Sequence, residues 1–373
     1  MKNNQNNLKI NILKSFIKKI NWSIYFFLFL LAFTGSLILF SVSKGSFYPY
    51  VHSHVIKFII SSIFLFITCF ISINFFYKTS YFIYFFSLIL LIAVFYFGSN
   101  SSGSNRWLYF PFFAFQPSEF VKITLIVCLA RFYNDYKSLN NNNILKVVFP
   151  ILIIILPITL VINQPDLGTA LLIMISSVAV IFLSGLGIGY ILFAVIFFVS
   201  LAPVMWNFLY DYQKLRIFTF LNPEQDPLGS GYHIAQSKIA IGSGGFFGKG
   251  YIKGSQSHLE FIPELHTDFV FSIFSEEFGF FGSIFLIFIY IYLISYGLIS
   301  AYKAKKIFNK LIISGLTINF FLYFIVNISM VIGLIPVVGV PLPLVSFGGS
   351  AMLTIMISFG LIMNLNNNNL EFT

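Results

Sequence analysis

The chain has 373 residues, 58% of them hydrophobic and only 9% charged, where a soluble domain carries about 25% charged residues. That excludes a water-soluble globular protein and implies an all-α integral membrane protein whose apolar runs cross the bilayer as helices. The net charge of +10 does not require nucleic acid as a partner, because lysines and arginines kept on the cytoplasmic side of a membrane account for it.

Residues 1–21 form a basic N-terminus carrying Lys2, Lys9, Lys14, Lys18 and Lys19. It resembles the charged start of a signal peptide. The apolar run behind it reaches Val42 without a small-residue cleavage site, so it reads as an uncleaved first span. About ten transmembrane helices are predicted, at 22–42, 56–76, 81–97, 118–133, 147–162, 169–183, 188–206, 281–299, 312–335 and 350–363. With the N-terminus inside, Lys78, Arg131, Lys137, Lys146, Lys303, Lys305, Lys306 and Lys310 all fall in cytoplasmic segments. The short outer loops keep only Lys44 and Arg106, an asymmetry that fixes the orientation. An even number of spans returns the C-terminus to the cytoplasm. Residues 207–268, between spans 7 and 8, then make one large extracytoplasmic loop in a single polytopic domain covering 1–373. Cys69 and Cys128 lie in apolar runs and read as small core residues. No internal repeat is visible, which disfavours a transporter built from two inverted halves.

The ionisable residues are unevenly spread. Five of the 12 acidic residues fall within 258–279, reading HLEFIPELHTDFVFSIFSEEFG: Glu260, Glu264, Asp268, Glu276 and Glu277, with His258 and His266 beside them. The predicted topology also brings Arg106 in GSNRW, Glu119 in QPSEFVK, Asp166 in NQPDLGT and Asp268 in HTDF to the outer side, where a polar cavity would gather them. Glu119 and Lys122 stand at i, i+3 and can pair on one helix face, either to neutralise each other or to shape that cavity. Asp166 precedes an apolar helix and reads as an N-cap, with a supporting carboxylate or metal ligand as the alternative. Asp268 has the same capping alternative, but the crowd of neighbouring acids favours a functional group. Glu276 and Glu277, about two helical turns further on, read as structural or headgroup-facing.

Two further stretches border this group. The long loop holds LNPEQDPLGSGYHIAQSKIAIGSGGFFGKGYIKGSQS, whose glycines with Lys238, Lys249 and Lys253 could present backbone N–H groups to phosphate. It lacks the setting of a P-loop, and a flexible outer loop is the simpler reading. Near the end, NISMVIGLIPVVGVPLPLVSFGGSA carries three helix-breaking prolines, and Gly348 and Gly349 beside Ser346 and Ser350. Broken backbone at membrane depth is tolerated where it lines a cavity, so this segment reads as a cavity wall.

The segments GSNRW, QPSEFVK, NQPDLGT, GSGYHIAQSKIAIGSGGFFGKG, FIPELHTDF and PVVGVPLPLVSFGGS together resemble the SEDS family (shape, elongation, division and sporulation) over nearly the full length, and the last segment resembles its elongation branch. The resemblance implies a ten-helix peptidoglycan glycosyltransferase of the bacterial cytoplasmic membrane that uses lipid II. It implies that Asp268 is the essential acid, and that Glu119, Lys122 and Asp166 belong to the central cavity. It also implies a class B penicillin-binding protein as partner. On that reading Asp268 is the general base, and Arg106 and Lys122, or a divalent cation (Mg or Mn), meet the pyrophosphate; His266, Lys238, Ser346 and Ser350 complete the expected substrate site. A lipid II flippase and a non-catalytic scaffold for wall enzymes are the rival readings.

Overall fold

The structure, a computed structural model, describes residues 20–101, 104–109, 114–136, 145–185, 189–190, 200, 206–207, 211–222, 229–255 and 266–370. In chain order the elements are α1 (Trp22–Val42), α2 (Tyr50–Phe70), α3 (Ile73–Phe97), β1 (Ser99–Ser101), β2 (Ser104–Tyr109), β3 (Ala114–Phe115), α4 (Pro117–Asp135), α5 (Leu145–Ile162), α6 (Leu167–Leu183), α7 (Asp211–Leu221), α8 (Ser230–Ser243), α9 (Val270–Lys303), α10 (Ile307–Val331) and α11 (Gly349–Leu370). Six of these helices, α1, α2, α3, α9, α10 and α11, are long and apolar enough to cross a membrane, and α5 and α6 are shorter apolar helices. With the 19-residue α4, this is the all-α, multi-pass membrane architecture expected. The predicted span at 188–206 falls largely outside the described residues, as do residues 1–19, His258, Glu260 and Glu264.

Burial sorts the helices into an inner and an outer set. The apolar windows of α10 and α11 are 72% and 78% buried, against 33–39% for α1, α2, α3 and α9. The outer helices expose Phe29, Phe33, Phe82, Phe85, Phe285 and Phe288, side chains suited to lipid. Helix α4 is buried along nearly its whole length, including Glu119 and Lys122. The centre of the bundle is therefore α4, α10 and α11.

The two ends of the bundle differ. At one end Arg131 near the close of α4 donates to the carbonyls of Tyr77 (2.8 Å) and Lys78 (2.9 Å) at the start of α3. There Tyr133 also donates to the Lys146 carbonyl at the start of α5, at 3.1 Å. At the other end lie the antiparallel pairs β1–β2 and β2–β3, the N-terminus of α6, the turn before α9, and the segment 332–348 between α10 and α11. The strands were not expected from sequence, where GSNRW reads as a loop.

Two helix boundaries depart from the predicted spans for local reasons. The second and third spans were placed at 56–76 and 81–97. The chain breaks instead at extended Ile71, and Ser72 caps α3 by accepting from Phe75 N at 3.3 Å. A capping serine inside an apolar run leaves no mark in the hydropathy pattern. Helix α9 is the second case. It begins at Val270 and is broken at Gly279, whose φ of 66° and ψ of −161° are not helical.

The glycine-rich loop explains that break. A kink frees helical backbone groups, which must find partners. Here Lys249 N bonds the Glu276 carbonyl (2.9 Å) and Gly250 N the Glu277 carbonyl (3.1 Å), while Phe280 N reaches Gly245 O (2.9 Å) and Phe281 N reaches Phe246 O (3.2 Å). The approach is so close that a Cβ on Gly248 would lie 2.0 Å from the Glu277 carbonyl oxygen. Within this stretch the N–H groups of Lys249 and Gly250 are spent on α9 and do not face a phosphate. Glu276 and Glu277 are likewise buried, not headgroup-facing. Glu276 accepts from Lys249 Nζ at 2.6 Å and Ser255 N at 2.9 Å, and Glu277 from Ser41 Oγ.

Candidate active site

The cavity is built where the irregular segments meet the inner helices. Pro117 starts α4 and places Glu119 in its first turn, fully inside the bundle. Its Oε1 accepts from Lys122 Nζ at 2.7 Å, and its Oε2 accepts from the Tyr323 hydroxyl and from Thr354 Oγ1 at 3.3 Å. Lys122 also touches the Tyr323 hydroxyl and lies 4.3 Å from the ring centroid. One buried network thus joins α4, α10 and α11. It satisfies both charges, as a buried pair requires.

Asp166 is the N-cap of α6, as its sequence position suggested. It accepts from Thr169 N at 3.2 Å and Thr169 Oγ1 at 2.9 Å. Gln116 Nε2 reaches its Oδ2 at 3.2 Å, and Arg106 Nη1 stands 3.9 Å from its Oδ1. Strand β2 carries Arg106, whose Nε donates to the Gln164 carbonyl at 3.1 Å and whose Nη2 donates to that of Pro165. The guanidinium is therefore fastened to the turn that Asp166 closes.

The N-cap position of α9 falls on Phe269, one residue past Asp268. The Asp268 backbone is held by Asn327, whose Nδ2 donates to the Asp268 carbonyl at 2.9 Å and to the Val340 carbonyl at 2.7 Å. Two residues earlier, the His266 carbonyl accepts from Phe347 N at 2.8 Å. Gly339 passes close to the acid: a Cβ there would lie 3.6 Å from Asp268 Oδ2. The proline-rich segment is thus a wall that grips the Asp268 turn from both sides.

A cavity of about 610 Å³ opens among these parts, lined by Arg106, Glu119, Asp166 and Asp268, the four residues expected to converge, together with Arg216, Gln116, Tyr323 and Phe347. Its volume suits a sizeable ligand. Other expected members lie elsewhere. Lys122 is buried behind Glu119 and does not line the cavity. Lys238 is an exposed residue of α8 whose stem lies over Gly333. Ser346 accepts from Leu342 N at 2.8 Å within the wall, and Ser350 accepts from Gln116 N at 3.1 Å. His266 stacks on Tyr50 with centroids 4.6 Å apart. The sequence reading missed Arg216, on α7, and Tyr323. Arg216 sits in DYQKLRIF, inside the long 207–268 loop, where cations carry little topological signal.

Among the described residues no three His, Cys, Asp or Glu side chains gather as a metal site. Glu119 and Asp166 give their oxygens to protein donors.

The comparisons with known proteins agree with this architecture. Residues 19–371 match the family model of the FtsW, RodA and SpoVE cell cycle proteins. The chain belongs to this family, SEDS. SEDS relatives include the peptidoglycan glycosyltransferase MrdB of Escherichia coli K12, 48% identical over 288 residues that cover 76% of each chain. The protein of the same name from Helicobacter pylori 26695 is 38% identical over 344 residues, 90% of this chain and 85% of that one. Among solved structures, a chain of a peptidoglycan synthase complex that coordinates polymerisation and crosslinking superposes with a TM-score of 0.79 at 26% identity, over 94% of this chain and 98% of that one. The rod shape determining protein RodA of Thermus thermophilus gives a TM-score of 0.68 at 24% identity, over 94% and 97% of the two chains, and shares the fold.

Proposed function

We propose that this SEDS chain is a peptidoglycan glycosyltransferase of the elongation type that polymerises lipid II, with Asp268 as the general base. The observation that carries the reading is one cavity lined by a carboxylate, Asp268, together with two guanidinium groups, Arg106 and Arg216. Asp268 takes the proton from the acceptor GlcNAc hydroxyl, an effect worth about 10²–10⁴-fold in rate. The freed oxygen attacks the anomeric carbon of the donor opposite its diphosphate. The new C–O bond forms as the bond to the leaving oxygen breaks, configuration inverts, and a β-1,4 link results. The polyprenyl diphosphate departs with its electron pair, and Arg106 and Arg216 neutralise it. Lys122 gives up the phosphate role drawn for it from sequence, because its charge is spent on Glu119.

A divalent cation, Mg or Mn, would be held between the diphosphate and the cavity carboxylates Asp268, Glu119 and Asp166. When bound it would neutralise leaving-group charge, and no step above depends on it. The two ends of the bundle support an orientation. Lys78, Arg131 and Lys146 meet at the end away from the cavity, which supports cytoplasmic termini and an outward cavity, with the 207–268 loop outside the cytoplasmic membrane. A class B penicillin-binding protein is the partner this reading requires for crosslinking, and the likeness to a synthase-complex chain supports it.

The test is reconstitution of the full chain in proteoliposomes with lipid II, with and without that partner. The expected product is a series of glycan strands cleaved by a muramidase. Movement of lipid II between leaflets without polymer would establish the flippase reading instead, and neither activity would leave the scaffold.

A further inference from the structure

An ionisable side chain inside a spanning helix is costly and marks a functional site by default. Helix α2 carries such a group outside the cavity: Lys57, two turns from its start. Among the described residues no carboxylate lies within ion-pair distance of its ammonium. Its Nζ sits instead 3.7 Å from the centroid of the Phe347 ring. Its stem crosses Gly349, where a Cβ would come within 3.0 Å of Cδ. The lysine is thus held in place over the ring.

The ring beneath it is a cavity wall. Tyr50 meets Phe347 edge-on at 5.4 Å and His266 meets it at 6.0 Å, while Tyr50 and His266 stack on each other at 4.6 Å. Lys57, Tyr50, His266 and Phe347 are all half-buried, so the cluster is neither sealed in the core nor spread on the surface. A cation resting on an aromatic face keeps donors for an anion, and an ammonium is a compact charge suited to phosphate oxygens.

We propose that Lys57, with Tyr50 and His266, forms a second anion site, separated from the Asp268 cavity by the Phe347 ring, that takes the phosphate or diphosphate of a membrane lipid. The identity of that lipid rests on the glycosyltransferase reading. A polymerase joining two polyprenyl-linked saccharides must hold two diphosphates at once. Arg106 and Arg216 provide for one, and Lys57 provides for the other.

The experiment uses the full chain in nanodiscs and two probes, a long-chain polyprenyl diphosphate and phosphatidylglycerol, with bound lipid counted by native mass spectrometry. Wild type is expected to hold an equivalent of lipid that Lys57→Met loses and Lys57→Arg restores, with melting temperatures checked so that loss of fold is not read as loss of binding. Loss of the diphosphate alone identifies the lipid-linked substrate as occupant; equal loss of phosphatidylglycerol identifies a bulk-lipid phosphate. Unchanged binding of both probes in folded Lys57→Met overturns the site. Glycan synthesis by the same wild-type preparation separates the two proposals: Lys57-dependent binding without polymer would sink the catalytic reading and leave the site standing.

Discussion

Glu119 and Lys122 are spaced so that one helix face presents both, and the structure adds the reason they can be buried. Tyr323 and Thr354 supply the remaining hydrogen bonds to Glu119. Removing one partner leaves an uncompensated charge, which costs roughly 3–5 kcal/mol. Lys122→Met should therefore lower the melting temperature sharply, and the Glu119→Gln/Lys122→Met double variant should recover most of the loss. A thermal-shift double-mutant cycle in detergent checks this. At this scale the sequence revealed the pair, because i, i+3 spacing is local. Tyr323 stayed hidden, since it lies 201 positions from Lys122 and a tyrosine in an apolar run reads as core. The same limit applies to Lys238, Ser346 and Ser350, which do not line the cavity. Polarity in a loop does not say which way a side chain turns, and both serines spend their hydroxyls on neighbouring backbone.

Among the elements, the pairing of the glycine loop with the kink of α9 matters most for the site. Helix α9 begins two residues after Asp268, so whatever fixes the kink also fixes the first half-helix that carries the acid into place. Gly248 has a φ of 81° and no room for a Cβ beside Glu277. Gly248→Ala should cost about 1–3 kcal/mol from backbone strain alone, with steric displacement on top. Hydrogen exchange should show loss of protection at Lys249, Gly250, Phe280 and Phe281 while the α10 amides stay protected. The helices themselves were legible as apolar runs. Their breaks were not: FSEEFGFFGS carries no signal that helical bonding stops at Gly279, and the partners that replace those bonds come from a loop some 30 residues earlier in the chain.

At the scale of the whole molecule, the cavity occupies one end of the bundle, and Lys78, Arg131 and Lys146 lie at the other. Cys69 and Cys128 are both buried, so an introduced cysteine can report sidedness without background. Lys253→Cys should label with a membrane-impermeant maleimide in intact spheroplasts, and Lys305→Cys only after permeabilisation. The reverse pattern would turn the cavity inward and remove the chain from the side where lipid-linked sugars are joined.

The central claim is that the Asp268 carboxylate is the base of the polymerisation. Its most direct test is glycan formation from lipid II by purified Asp268→Asn, a variant that keeps size and hydrogen-bonding capacity and loses the basic oxygen. The account predicts unchanged melting, retained lipid II binding, and a turnover lower by about 10²–10⁴-fold. A folded Asp268→Asn protein that polymerises lipid II at the wild-type rate would contradict it.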